Sequence, residues 1–169
     1  MAFESFTDDK IMDLLICPKR LTNPQARVKS IDGHEQVNYK VEAQDGSSQI
    51  FQVYKRQNKR EGMEKDFSCG ISWISQNGET ITLKRYNGSS HSHPNHLEGE
   101  RLGYEPHIHF ATEKYIKANR KPDGFAEATK RYETLDGAFH CLVTDCKISG
   151  IETKPDDLAQ QKLFDNEWD

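Results

Sequence analysis

Between residues 37 and 43 apolar and polar side chains alternate, Val37, Tyr39, Val41 and Ala43 against Asn38, Lys40 and Glu42. A period of two sends successive side chains to opposite sides of an extended chain, so this stretch predicts a strand with one buried face. Phe51 and Val53, then Phe67, Cys69, Ile71 and Trp73, then Ile81 and Leu83 predict the strands that follow. Asp32-Gly33, Asp45-Gly46 and Asn77-Gly78 punctuate them. Such pairs favour two-residue hairpin turns, whose central residues take positive φ. The pattern reads as a five-stranded antiparallel meander over residues 26–86, with a longer polar connection at 57–65.

Helical spacing flanks the meander. Ile11, Leu14 and Leu15 share a helical face; Thr7 is placed to cap that helix, Asp8 and Asp9 complement its positive end, and Pro18 stops it. Beyond the meander a helix begins at Thr112 with Tyr115 and Ile116 as its apolar side, and a loop at 120–126 holds Pro122 and Gly124. A further helix over 134–147 carries Leu135, Phe139, Leu142, Val143 and Cys146 on one stripe, with Gly150 as its stop. Helices that follow a complete antiparallel sheet predict an α+β fold, here with an N-terminal helix and C-terminal helices packed on one face. The organisation is a single domain over 1–151 and an acidic C-terminal tail over 152–169.

Charge and composition narrow the class. The chain has 169 residues, 34% hydrophobic and 30% charged, enough for one core without covalent staples. Its 23 basic and 27 acidic residues give a net charge of -4, and the tail, with six acids against two bases, accounts for all of it. A near-neutral body excludes nucleic-acid binding driven by overall charge but leaves room for a local basic patch. No stretch approaches the ~18 consecutive apolar residues of a membrane span. The N-terminal MAFESFTDDKIMDLL has acids where a secretory leader carries bases, and Cys17, Cys69, Cys141 and Cys146 show no CxxC spacing. The expectation is a cytoplasmic protein with free thiols and no membrane partner.

The candidate chemistry lies after Tyr86, in NGSSHSHPNHLEGERLGYEPHIH, where five of the seven histidines fall within 19 residues. Long connections inside compact domains are usually functional, and histidine both exchanges protons near neutral pH and ligates metals. Two chemistries fit. In metal-free phosphodiester cleavage, His107 and His109 act as the acid/base pair on one side of an extended segment. Arg85, Lys84 and Arg101 then meet phosphate, while His91 and His93 complete the catalytic set. Alternatively His91, His93, His96, Glu98 and Glu100 hold a divalent ion, zinc or magnesium. The cofactor is therefore none or one such metal. A second basic feature, Lys55, Arg56, Lys59 and Arg60, places four cations in six residues for phosphate contact. His34, beside a turn, and His140, in the last helix, read as structural, and Trp73 and Phe67 as core.

The segment Arg85-Tyr86-Asn87-Gly88, then His91 and His93, then His107-Ile108-His109 resembles the histidine signature of the TumE-type toxin family of bacterial toxin–antitoxin systems. Asn87 stands where that family carries an aspartate. The whole chain is similar to an uncharacterised bacterial domain family sharing the RYNG…H…EGE…HIH…ATE layout. The first resemblance implies a toxin-like protein that acts on RNA, with a cognate antitoxin as partner. The functional expectation is thus an endoribonuclease of a toxin–antitoxin or phage-defence locus. The alternative is a non-enzymatic interaction protein, an antitoxin or an inhibitor of a nucleic-acid machine, that binds through its acidic tail or a sheet edge.

Overall fold

The computed structural model describes residues 6–156. Helix α1 (Asp8–Ile16) opens it, with the Thr7 side chain accepting the Lys10 amide as its N-cap. Strands β1 (Lys19–Leu21), β2 (Lys29–Ile31), β3 (His34–Ala43), β4 (Ile50–Asn58), β5 (Phe67–Ile74) and β6 (Thr80–Asn87) follow. The histidine-rich connection forms a separate two-stranded hairpin, β7 (His93–Asn95) and β8 (Glu100–Leu102), and returns to the main sheet as β9 (His107–Phe110). Then come α2 (Glu113–Lys117), β10 (Phe125–Ala128), α3 (Leu135–Asp145) and β11 (Ile148–Ser149).

The α+β class is as expected, but the sheet is larger than the five-stranded one predicted. Among the described residues it has nine strands in the order β10-β9-β6-β5-β4-β3-β1-β11, with β2 on β3. Strands β2 to β6 pair consecutively; β9 and β10 extend one side, and β1 and β11 the other. The additions are strands of two to four residues, too short to show a period. Strand β10 also begins inside the segment expected to be a loop at 120–126. Among the hairpin turns, Asp32-Gly33 places both residues at positive φ, 48° and 78°. At Asn77-Gly78 only the glycine does so.

Alternation gives the sheet two unlike faces. One carries Val41, Phe51, Val53, Cys69, Ile71, Tyr86 and Ile108, all buried, and is covered by α1 and by Ala138, Phe139 and Leu142 of α3. Phe139 stacks on Tyr39 at 5.6 Å between ring centroids. The buried Lys19 ties the two helix ends together: its Nζ donates to Leu15 O at 2.7 Å, and to Cys17 O and Cys146 O at 2.9 Å each. A cation there meets the negative ends of both helix dipoles. Register partners put the other residues on the opposite face: Tyr54 with Gly70 and Arg56 with Ser68, then Arg85 with His109 and Asn87 with His107. No described helix is long and apolar enough to cross a membrane.

Candidate active site

The polar face holds the site. Strand β6 enters it with Arg85 and Asn87, and β9 runs beside it with His107 and His109. The β7–β8 hairpin folds over them, and its docking is specified by Asn95. That buried side chain donates to Ala126 O at 2.8 Å and accepts the Ala126 amide at 2.9 Å, pairing with the free side of β10 as a strand would. His93 adds an Nε2–H bond to Gly124 O at 2.8 Å. A Cβ on Gly124 would lie 2.7 Å from the Tyr115 ring, so a larger residue would push against that ring.

Four imidazoles are brought together in this way. Ring centroids are 4.5 Å apart for His93 and His109 and 5.8 Å for His93 and His107. They are 5.0 Å apart both for His107 and His109 and for His91 and His107. The tautomers of the inner rings follow from their partners. His107 Nδ1 faces Glu105 O at 2.9 Å and His109 Nδ1 faces Asp123 O at 2.9 Å. A carbonyl only accepts, so each Nδ1 carries hydrogen and each Nε2 presents a lone pair. Neither Nε2 has a partner, and Arg85 Nε, Asn87 Oδ1 and Asp123 Oδ2 are the other unpartnered buried side-chain atoms among the described residues. All five belong to this one cluster. Arg85 Nε and Asp123 Oδ2 form an ion pair at 3.3 Å whose alignment falls short of a hydrogen bond. A buried polar atom left unpaired costs about 1–3 kcal/mol, and among the described residues that cost is concentrated on this face.

Burial, followed by the nearby Arg85 cation, drives the His109 pKa down to about 2. His107 and His93 are lowered for the same leading reason, although their carbonyl partners pull the other way. These three rings are neutral at physiological pH. Each keeps its one ring proton in a bond to a carbonyl, and its depressed pKa makes it a weak base.

The remaining candidates separate by strand period. Lys84 lies on the opposite face from Arg85, at 3.3 Å from Asp145 and over the Phe110 ring, so it is a core residue rather than a phosphate ligand. Of the run at 55–60, only Arg56 lies on the polar face beside Arg85 and His91. Lys55 sits over the Phe139 ring under α3, Lys59 faces Glu35 and Arg60 donates to Asp32 O. Arg101 is exposed on the hairpin and donates to Ser92 Oγ at 3.1 Å. The expected metal ligands do not converge. His96 is exposed, Glu98 is held by Tyr115 Oη at 2.5 Å and Lys114 at 2.6 Å, and Glu100 accepts from Asn95 at 2.9 Å. Among the described residues no group of three or more His, Cys, Asp or Glu side chains is arranged to hold a metal ion.

One residue set aside as structural belongs here. His34, at the start of β3, opens onto the same recess as Arg56, Arg85, Asn87 and His91. Its position opposite Val37 and Tyr39 in the period-two pattern was the available signal. His140 is bound to Thr153 Oγ1 at 2.7 Å, away from this face. Compared with known proteins, the chain matches no family model, curated protein or solved structure.

Proposed function

We propose that this protein is a toxin-like endoribonuclease whose imidazole cluster removes a proton from a ribose 2′-hydroxyl, while Arg85 balances the charge that develops on the adjacent phosphate. The observation that carries the reading is the convergence of four imidazoles and a guanidinium, with lone pairs left unpartnered, on one polar sheet face. His91 is the exposed member and delivers base chemistry to the substrate; His93, His107 and His109 form the neutral wall behind it. The guanidinium suits the phosphorane because its charge does not titrate and its donors match phosphate oxygens. Base catalysis of this kind contributes about 10²–10⁴-fold.

The reading is tested by incubating purified protein with mixed-sequence single-stranded RNA, with and without EDTA, beside His91→Ala and Arg85→Gln variants. Expected are 2′,3′-cyclic phosphate ends, unchanged cleavage in EDTA, and losses of about 100-fold or more in each variant. Equal cleavage by all three proteins removes the assignment. Loss of activity in EDTA replaces the imidazole base with a metal-bound one. The alternative of a binding protein that uses its acidic tail rests on residues 152–169, of which 157–169 lie outside the described residues.

A further inference from the structure

Beside the imidazole cluster the polar face sinks into a recess of about 170 Å³, lined among others by His34, Arg56, Asp66, Arg85, Asn87 and His91. Two imidazoles from distant parts of the chain face it, and one carboxylate stands behind both. Asp66 Oδ2 lies 3.7 Å from His34 Nε2 and accepts from Asn58 Nδ2 at 2.9 Å. Asp66 Oδ1 accepts the Ser90 hydroxyl at 3.4 Å. With its hydrogen directed to Asp66, Ser90 Oγ is the acceptor for His91 Nδ1 at 3.3 Å. His91 is thereby held with hydrogen on Nδ1 and a lone pair on Nε2, the form of a base.

His34 is held the other way. Its Nδ1 faces Asp32 O at 3.3 Å and its Nε2 faces the Asp66 carboxylate, so both nitrogens meet acceptors. The 3.7 Å to Asp66 is an ion-pair distance beyond hydrogen-bond reach, so the carboxylate favours positive charge on this ring while leaving the Nε2 position free of a hydrogen bond. The hydrogen bond from Asn58 holds the Asp66 carboxyl below the usual carboxylate range, keeping it ionised, with His34 and Ser90 acting in the same direction.

Resting on the ribonuclease reading, we propose that this recess seats the scissile phosphate of RNA between Arg56 and Arg85, with His91 as the base and His34 as the proton donor to the leaving oxygen. The bond from the 2′-oxygen to phosphorus forms as the bond from phosphorus to the 5′-oxygen breaks. The 2′-hydroxyl proton passes to His91, and the His34 proton passes to the departing 5′-oxygen. Nothing is oxidised or reduced. His34 thus supplies the acid that the neutral His93, His107 and His109 cannot.

Two measurements test this. Inorganic phosphate is titrated into the intact protein while the histidine ring proton resonances are followed by NMR, with Arg56→Gln and the remote Lys29→Gln as variants. Saturable shifts of His34 and His91 together, weakened about tenfold in Arg56→Gln and unchanged in Lys29→Gln, are expected for loss of one charge-assisted contact. Absent or nonsaturating shifts, or shifts equal in all three proteins, overturn the seat. The second measurement compares wild type and His34→Asn on RNA and on uridine 3′-(4-nitrophenyl phosphate), whose leaving group needs no proton. The variant is expected to lose about 100-fold in kcat on RNA with KM nearly unchanged, and to approach wild type on the activated ester. Undiminished RNA cleavage, or an equal loss on both substrates, overturns His34 as donor while leaving the ribonuclease function standing. A wild-type protein that binds phosphate yet cleaves neither substrate overturns the function and the donor role, and keeps the seat alone.

Discussion

A histidine buried with one nitrogen bonded to a carbonyl and the other facing an apolar or cationic wall stores a pH dependence in the native state. His109 is the extreme case, moved from an ordinary 6.5 to about 2. Below pH 6.5 the unfolded chain binds a proton that the native ring refuses, so stability is complete above that pH and declines as the pH falls through the window toward 2. From about pH 7 to about pH 5 the loss for this residue alone is about 2 kcal/mol. His107 and His93 are shifted the same way and add to it. Urea unfolding at the two pH values is expected to show this decline, reduced in His109→Gln; an equal decline in the variant would mean that the buried ring protonates in place. Histidine density in the sequence pointed to this locus without revealing protonation states, because those depend on Glu105 O, Asp123 O and Arg85, contacts made across strands. His34 was harder to see: it lies 57 residues before His91, and only the pairing of β3 to β6 brings the two to one recess.

At the scale of elements, the period-two pattern that identified β3 to β6 also decides which cations share a face with the histidines. Adjacent residues on a strand point to opposite sides, so Lys84-Arg85 and Lys55-Arg56 are each split between core and site. Lys84 belongs to a network in which Asp145 also accepts from Tyr86 Oη at 2.6 Å and from both Arg131 terminal nitrogens at 2.8 Å. Burial by itself would raise the Asp145 pKa, but Arg131 and Tyr86 outweigh it and hold the carboxyl down to about 2. Lys84→Gln is therefore expected to lower unfolding stability by about 1–3 kcal/mol while retaining RNA cleavage. Arg85→Gln leaves the buried Asp123 carboxylate without its cation, so it should lose stability as well, and unlike Lys84→Gln it should also cut cleavage about 100-fold. Thermal unfolding and initial rates measured on the same preparations separate the two. A Lys84 variant that folds normally and fails to cleave would put Lys84 on the substrate side. The short strands β9 and β10 were invisible to periodicity, since four residues do not define a face. Their positions are set by long-range contacts such as the Asn95 pairing with Ala126.

For the molecule as a whole, asymmetry of the sheet matters more than net charge. α1 and α3 consume the apolar face, and what is left is a polar floor on which short added strands and a docked hairpin gather polar groups. The total of -4 says little about that floor, because it is carried by the tail. The basic run at 55–60, read along the chain, predicted a footprint of four phosphate contacts. Folded, it supplies Arg56, with Arg85 as the neighbouring cation at the recess. These readings differ in salt dependence. A single-stranded nucleic acid releases counterions in proportion to the phosphates neutralised, with a slope in log K against log salt of about -0.7 per contact. Two contacts give a slope of about -1.4, whereas the intact four-cation run together with Arg85 would exceed about -3. Fluorescence anisotropy of a labelled RNA bound to the His91→Ala protein, measured across a salt series, reads this slope without cleavage. The shallow value is expected, and it should fall by about half in Arg56→Gln and stay unchanged in Lys59→Gln. A steep slope that responds equally to both substitutions would show RNA lying along the outer edge of β4 rather than across the polar floor.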